Sequence, residues 1–308
     1  MARTHGPTAS ADWLRQRERG AVWAIELAAW IATSLGRPIA RTLARAIAAY
    51  YVVFDRRARH ASRDWLARVR GRPPSRAEIY HHLSCFAQAT MDRIFFARRC
   101  FDVFEFERTG NHHLEALARE RRGAILLGAH LGSFEAMSAA SRNERFPITI
   151  VGHFENARMI NSVLERLDPG LTSRVVHAGR DPVALALTLR ERLATGGMVA
   201  LLADRIGLNE KSVSVEFFGA PARFATGPFL LAAILKCPIY LVFGLYREPN
   251  RYELFCEPFS ERLVLARGSR EEVLTREVAR YARRLEDYCR KAPENWFNFF
   301  DFWEKGAS

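Results

Sequence analysis

The chain reads as an α/β protein, with a mixed, partly parallel sheet flanked by helices and N-terminal helices suited to a membrane surface. Three observations predict this class. From about residue 124 onward, short β-branched or aliphatic runs alternate with helical segments, the pattern of a partly parallel sheet. Before that, the chain carries apolar-basic stretches of helical character. Over its 308 residues it is 49% hydrophobic and 26% charged, an ordinary globular mixture that can bury a sizeable core.

The first apolar stretch, residues 21–35, contains Glu26 and is shorter than the roughly 20 apolar residues a single span needs. It starts too late for a secretory signal pattern. After Gly36-Arg37-Pro38, residues 39–54 place Arg41 and Arg45 among Ile39, Leu43, Ile47, Tyr50, Tyr51 and Phe54, with Arg56 and Arg57 just beyond. Trp13, Trp23 and Trp30 add rings suited to the headgroup level. Helices of this kind suit a protein lying on an anionic membrane; core helices or a tilted span fit the same pattern. Gly71-Arg72-Pro73-Pro74 closes this region, so residues 1–74 form an N-terminal helical unit and residues 75–308 a larger domain. That domain opens on a helix over about residues 75–99. Strands are expected at 124–129, 148–151, 174–177, 198–203, 213–218, 239–246 and 252–256. Helices are expected near 134–142, 156–167, 182–194 and 226–235. A long charged helix over about 269–291 and an aromatic tail from Pro293 complete it.

The 46 basic residues exceed the 34 acidic ones, for a net charge of +12, nearly all of it arginine. Such a surplus attracts anionic lipid, an acidic carrier protein or nucleic acid. The basic stretches lack an aromatic-interleaved reading surface, so no nucleic acid partner is expected. The five cysteines are scattered without a C-x-x-C pair, which argues against a disulfide framework or structural zinc. His81-His82 and His112-His113 are adjacent residues that do not face one site on a helix, so no metal is expected. The chain has no G-x-S-x-G elbow, Walker loop or G-x-G-x-x-G run, and no cofactor is implied.

The chemistry concentrates in residues 123–135, Gly-Ala-Ile-Leu-Leu-Gly-Ala-His-Leu-Gly-Ser-Phe-Glu. An apolar strand ends at His130, and a turn through Gly132 leads into a helix capped by Ser133. That puts His130 at the carboxyl end of a strand, where open α/β sheets gather their ligands. Glu135, in the first turn of the helix, can fold back toward the imidazole. A neutral imidazole so held accepts a proton from an attacking hydroxyl or amine while the carboxylate orients the ring. The amides of Gly132 to Phe134 offer donors to an oxyanion. Standing alone, His-x4-Glu more often marks a strand-end histidine bonded to a helix cap.

The same block resembles the His-x4-Glu motif of the lipid A biosynthesis (lauroyl/myristoyl-type) acyltransferases, within the wider lysophospholipid acyltransferase group. Residues 199–205, Val-Ala-Leu-Leu-Ala-Asp-Arg, followed by Phe217-Phe218-Gly219, resemble a second block of that family, and Thr226-Gly227-Pro228 continues it. Pro293-Glu294-Asn295-Trp296 resembles its terminal motif. The likeness covers about residues 123–303 and implies a glycerolipid-acyltransferase-like fold, with residues 75–308 as the acyltransferase domain. It implies transfer of a fatty acyl group from acyl-carrier protein or acyl-CoA to a hydroxyl or amine of a lipid or glycolipid acceptor. His130 would be the general base and Glu135 its partner, at the cytoplasmic face of a bacterial inner membrane. Gly132, Ser133, Asn156, Arg166, Asp204 and Arg223 are candidate substrate contacts; for Arg166 and Arg223 a solvated surface role is the alternative, for Asp204 a buried ion pair. Val151-Gly152-His153 and Arg205 depart from the family pattern and point away from a phosphorylated glucosamine acceptor. The Asn-Trp-Phe-Asn-Phe-Phe-Asp-Phe-Trp ending resembles acyltransferases found with aryl polyene or flexirubin-type lipids. A thioesterase using the same pair, or a non-catalytic membrane-binding protein, are the competing functions.

Overall fold

The computed structural model describes residues 22–141, 148–152, 158–168, 170, 175–177, 181–207 and 210–303. Helices α1 (Val22–Leu35) and α2 (Arg37–Phe54) form a hairpin turned at Gly36, which adopts a left-handed φ of 81°. Next comes α3 (Arg56–Arg70), whose first amides are capped by the Asp55 carboxylate. From its sequence α3 is only a basic stretch; its buried face is Ala58, Ala61, Ser62, Trp65 and Leu66, too small over its first two turns to announce a helix. A Ser75–Glu78 capping box starts α4 (Arg76–Ala97). Along α4 lies α2, fastened at its head by Arg37, whose Nε and Nη2 each donate to Asp92 at 2.8 Å. Ala48, Trp65 and Leu66 share one core with Ile125 and Phe243 of the sheet, so α2 and α3 pack into the body of the molecule. Among the described residues no helix is long and apolar enough to cross a membrane.

The remaining elements alternate: β1 (Glu105–Thr109), α5 (Asn111–Arg119), β2 (Ala124–Gly128), α6 (Phe134–Ser141), β3 (Ile148–Gly152), α7 (Arg158–Leu167), β4 (Val175–His177), α8 (Pro182–Ala194) and β5 (Met198–Leu202). Then follow β6 (Ser212–Phe217), β7 (Ala220–Ala225), α9 (Gly227–Leu235), β8 (Ile239–Arg247), β9 (Arg251–Ser260) and α10 (Arg270–Lys291). Seven strands form one sheet in the order β1-β9-β8-β2-β5-β3-β4. β8 and β9 are antiparallel and the other neighbours parallel, so the mixed, partly parallel sheet the sequence predicts is found as a mostly parallel one. All five residues of β2 are buried, as expected of a central parallel strand covered on both faces. Strands β6 and β7 form a separate hairpin turned by Phe218 and Gly219, both at positive φ. β1, with one partly buried Phe106 among exposed polar residues, has no apolar run to mark it as a strand. Against the sheet, α10 lays Val278, Tyr281, Ala282 and Leu285, and the Tyr281 hydroxyl donates to Gly128 O at 2.8 Å.

Candidate active site

Strands β2 and β5 are parallel neighbours, with Gly128 opposite Leu202. Each chain continues two residues beyond that pair, to His130 and Asp204, so both side chains emerge at the same level of the sheet's carboxyl edge. Ala203 extends the ladder by donating to Gly128 O at 3.1 Å. His130 Nδ1 then lies 2.8 Å from Asp204 Oδ1. The backbone N–H of His130 lies 3.0 Å from both Asp204 oxygens. A carboxylate accepts only, so this contact places the ring proton on Nδ1 and leaves the lone pair on Nε2.

The C-terminal tail closes the shell around Asp204. Oδ2 accepts from Trp296 Nε1 at 3.1 Å and from Asn298 Nδ2 at 2.8 Å. Asn298 Oδ1 in turn accepts from Arg205 Nε at 2.7 Å, and Arg205 Nη2 donates to Phe297 O at 2.9 Å. Phe297 N donates to His130 O at 2.7 Å, which ties the tail to the residue it surrounds. Asp204 is completely buried. Burial alone would raise its pKa; His130, Arg205 and the Asn298 amide outweigh that and hold it down to about 2. His130 stays 27% exposed at its side chain, so a substrate can reach it. Its burial and the nearby Arg205 charge hold its pKa below the usual imidazole value, against the opposing pull of Asp204 and Glu135.

Glu135 is not the carboxylate on His130 Nδ1. Its Oε1 pairs with Arg93 Nε of α4 at 2.6 Å, and its Oε2 accepts from Ser133 Oγ at 3.3 Å. Four intervening residues put Glu135 in the helix turn after His130, but the register between strands puts Asp204 beside the ring. Asp204, expected as an acceptor contact, is therefore corrected to an internal group: fully buried, its oxygens taken by protein N–H donors. Gly132 and Ser133 are corrected likewise. The Gly132 amide donates to Asn295 O and the Ser133 amide to Gly244 O, both at 2.8 Å, so neither is open to substrate or oxyanion. Gly132 adopts a φ of 71°, and a Cβ there would stand 1.9 Å from Gly244 O, so the turn demands glycine. Ser133 is buried and caps α6, its Oγ accepting from Ala136 N at 3.1 Å. Of the expected oxyanion donors, the Phe134 amide at the head of α6 remains a candidate.

The peripheral candidates are not brought to His130. Arg166 on α7 pairs with Glu26 of α1 at 2.6 Å in an exposed ion pair. Arg223 on β7 donates to Ser212 Oγ within the β6–β7 hairpin. Asn156 and His153 lie outside the described residues. Among those residues no group of three His, Cys, Asp or Glu is placed to hold a metal. His82 sits between Ser62 Oγ and Trp296 O, at 2.8 and 3.0 Å. Neither described cavity is lined by His130: a small one lies by Met137 and Cys256, and a groove of about 360 Å³ by Ile234 and Val264. Sequence reading alone missed Arg93 and Asn298. The signal for Asn298 was present, as an amide set inside an aromatic run that would otherwise read as core.

Against known proteins, the model of the bacterial lipid A biosynthesis acyltransferase family matches residues 10–305. No curated protein matches the chain. The family match extends from the N-terminal helices through the tail that encloses Asp204, and so covers every element that builds the histidine site. On that match, the chain belongs to the bacterial lipid A biosynthesis acyltransferase family and is a lipid acyltransferase.

Proposed function

We propose that this acyltransferase moves a fatty acyl group from a thioester of acyl-carrier protein or coenzyme A onto a hydroxyl or amine of a lipid or glycolipid, with His130 as general base. One observation carries the reading. The imidazole is held through Nδ1 by an ionised, buried Asp204, while the ring remains partly open at the sheet's carboxyl edge. Nε2 takes the acceptor's proton as its oxygen or nitrogen attacks the thioester carbonyl. The resulting oxyanion is steadied by the head of α6, where the Phe134 amide is the candidate donor. Collapse breaks the C–S bond, and the imidazolium returns its proton to the leaving thiolate. The products are an ester or amide and a free thiol. Asp204 stays ionised throughout and steadies the imidazolium. Glu135, held by Arg93, adds negative charge near the ring without orienting it.

The expected seat is the cytoplasmic face of a bacterial inner membrane, with the α1–α2 hairpin in the anionic lipid surface. Its composition supports this. Ala29, Ala32, Ala40, Ala44 and Ala48 face inward, while Trp23, Trp30, Tyr50 and Phe54 are mostly exposed. Globular helices usually bury their large apolar side chains, and this hairpin presents them.

The test is acyl transfer from labelled acyl-carrier protein and acyl-CoA to extracted bacterial lipid, by the wild type and by His130→Ala. A loss of about 100- to 10,000-fold is expected. Near-normal transfer by the variant defeats the assignment. Free fatty acid released equally fast without acceptor would make the protein a thioesterase.

A further inference from the structure

Behind the base lies a chain of polar contacts that the chemistry above does not require. Arg205 Nε donates to Asn298 Oδ1 at 2.7 Å, and Asn298 Nδ2 donates to Asp204 Oδ2 at 2.8 Å. Asp204 Oδ1 accepts from His130 Nδ1 at 2.8 Å. Three of these residues sit at the ends of adjacent parallel strands; Asn298 comes from the far end of the chain, 94 residues beyond Asp204. We propose that Asn298 and Arg205 are positioning residues for acyl transfer, acting as a relay that fixes the Asp204 carboxylate and through it the His130 ring. The inference rests on the general-base reading of His130.

The geometry explains why both members are needed. A carboxylate can rotate about its Cβ–Cγ bond, and its grip on the imidazole is directional only if the second oxygen is also held. Asn298 holds that oxygen together with Trp296 Nε1. An amide can flip, presenting its oxygen where its nitrogen should be. Arg205 prevents this, because its guanidinium only donates and therefore requires the amide oxygen on its side. Its second donor bond, to Phe297 O, pins the backbone next to Asn298, and Phe297 N is itself bonded to His130 O. The relay thus orients both the Asp204 carboxylate and the main chain at His130. Asn298 is buried, so its contacts are made within the protein.

The test compares Asn298→Leu, Arg205→Gln, Arg205→Lys and the double variant Asn298→Leu/Arg205→Gln. Each is assayed for kcat, KM and the acid limb of the kcat–pH profile with acyl-CoA and extracted lipid. Loss of orientation is expected to lower kcat about 10- to 100-fold with KM nearly unchanged. In Arg205→Gln a cation leaves the neighbourhood of the imidazole, so the acid limb moves to higher pH, by about half a unit or more. Arg205→Lys, which keeps the charge without the fork, should restore the acid limb but not full kcat. Because the two residues act in series, the double variant should fall little below the worse single one. Should Asn298→Leu fail to fold, Arg205→Gln and Arg205→Lys still read the relay, since Arg205 is only partly buried. Single variants within threefold of wild type overturn the proposal, as do multiplying losses with an unmoved acid limb. If those results came with an inactive His130→Ala, only the relay would fall; an active His130→Ala removes the base reading itself.

Discussion

The carboxyl edge of the sheet and the α1–α2 hairpin handle polarity in opposite ways. At the edge, charged and amide groups are buried and nearly every one has a named partner, Asp204 accepting from four N–H groups. In the hairpin, alanines are buried and the large rings are exposed, Trp23 at 68% and Trp30 at 59%. An enclosed polar cluster is retained only if it is satisfied, because each unmatched donor or acceptor costs about 1–3 kcal/mol. An outward aromatic face is retained when a second apolar phase covers it. The comparison separates two designs: the edge holds one imidazole in place through buried polar partners, and the hairpin leaves its large apolar side chains outward, the face on which the proposed lipid contact rests.

The largest expected effect tests the polar edge. Asp204→Asn preserves shape but can present its N–H to His130, favouring the wrong tautomer; kcat for acyl transfer should fall about 1,000- to 10,000-fold. Glu135→Gln, which leaves the Nδ1 contact intact, should cost only about tenfold. If the two losses came out reversed in the same assay, the pairing of His130 with Asp204 would be the wrong reading of the site.

Next in size is the acid response of the support behind the tail. Burial holds the His82 pKa down to about 4, and the neutral ring bridges Ser62 Oγ and Trp296 O. Between pH 6.5 and about 4 the unfolded chain binds the proton that the fold refuses, so stability is full above pH 6.5 and declines as pH falls toward 4. The loss is on the order of 3 kcal/mol. Denaturant midpoints measured from pH 7 to 4 should show the decline, and His82→Gln should flatten it. An equally steep decline in that variant would assign the acid sensitivity elsewhere. Asp204 adds a loss of the same sign at lower pH, between its ordinary value of 3.8 and about 2.

The smallest effect sharpens the hairpin side. Trp30→Ser should weaken sedimentation with phosphatidylglycerol-containing vesicles by about tenfold, the size expected for burying part of a large apolar side chain. Turnover on a detergent-dispersed acceptor should be unchanged. Vesicle binding equal to wild type would show that the exposed rings meet something other than lipid.

Much of this was legible along the chain. The run ending at His130 announced a buried strand followed by a tight turn and a helix, because a continuous apolar stretch, a glycine and a capping serine are local signals. The alternation from residue 124 onward announced the sheet. The hairpin was visible as apolar-basic helices, although its inward alanines were not, since which face of a helix is covered depends on what packs against it. Edge strand β1 escaped notice because so little of it is buried.

The sequence by itself determined where the imidazole stands, because strand, turn and cap are all set within a dozen residues. It suggested Glu135 as the partner for the same reason, since proximity along the chain was the only proximity it could express. Only the tertiary structure decided for Asp204, through a parallel register between strands 74 residues apart, and for Asn298, delivered by a tail that folds back over both. Strand order and tail path follow from how the whole core packs, and no window of residues contains that information.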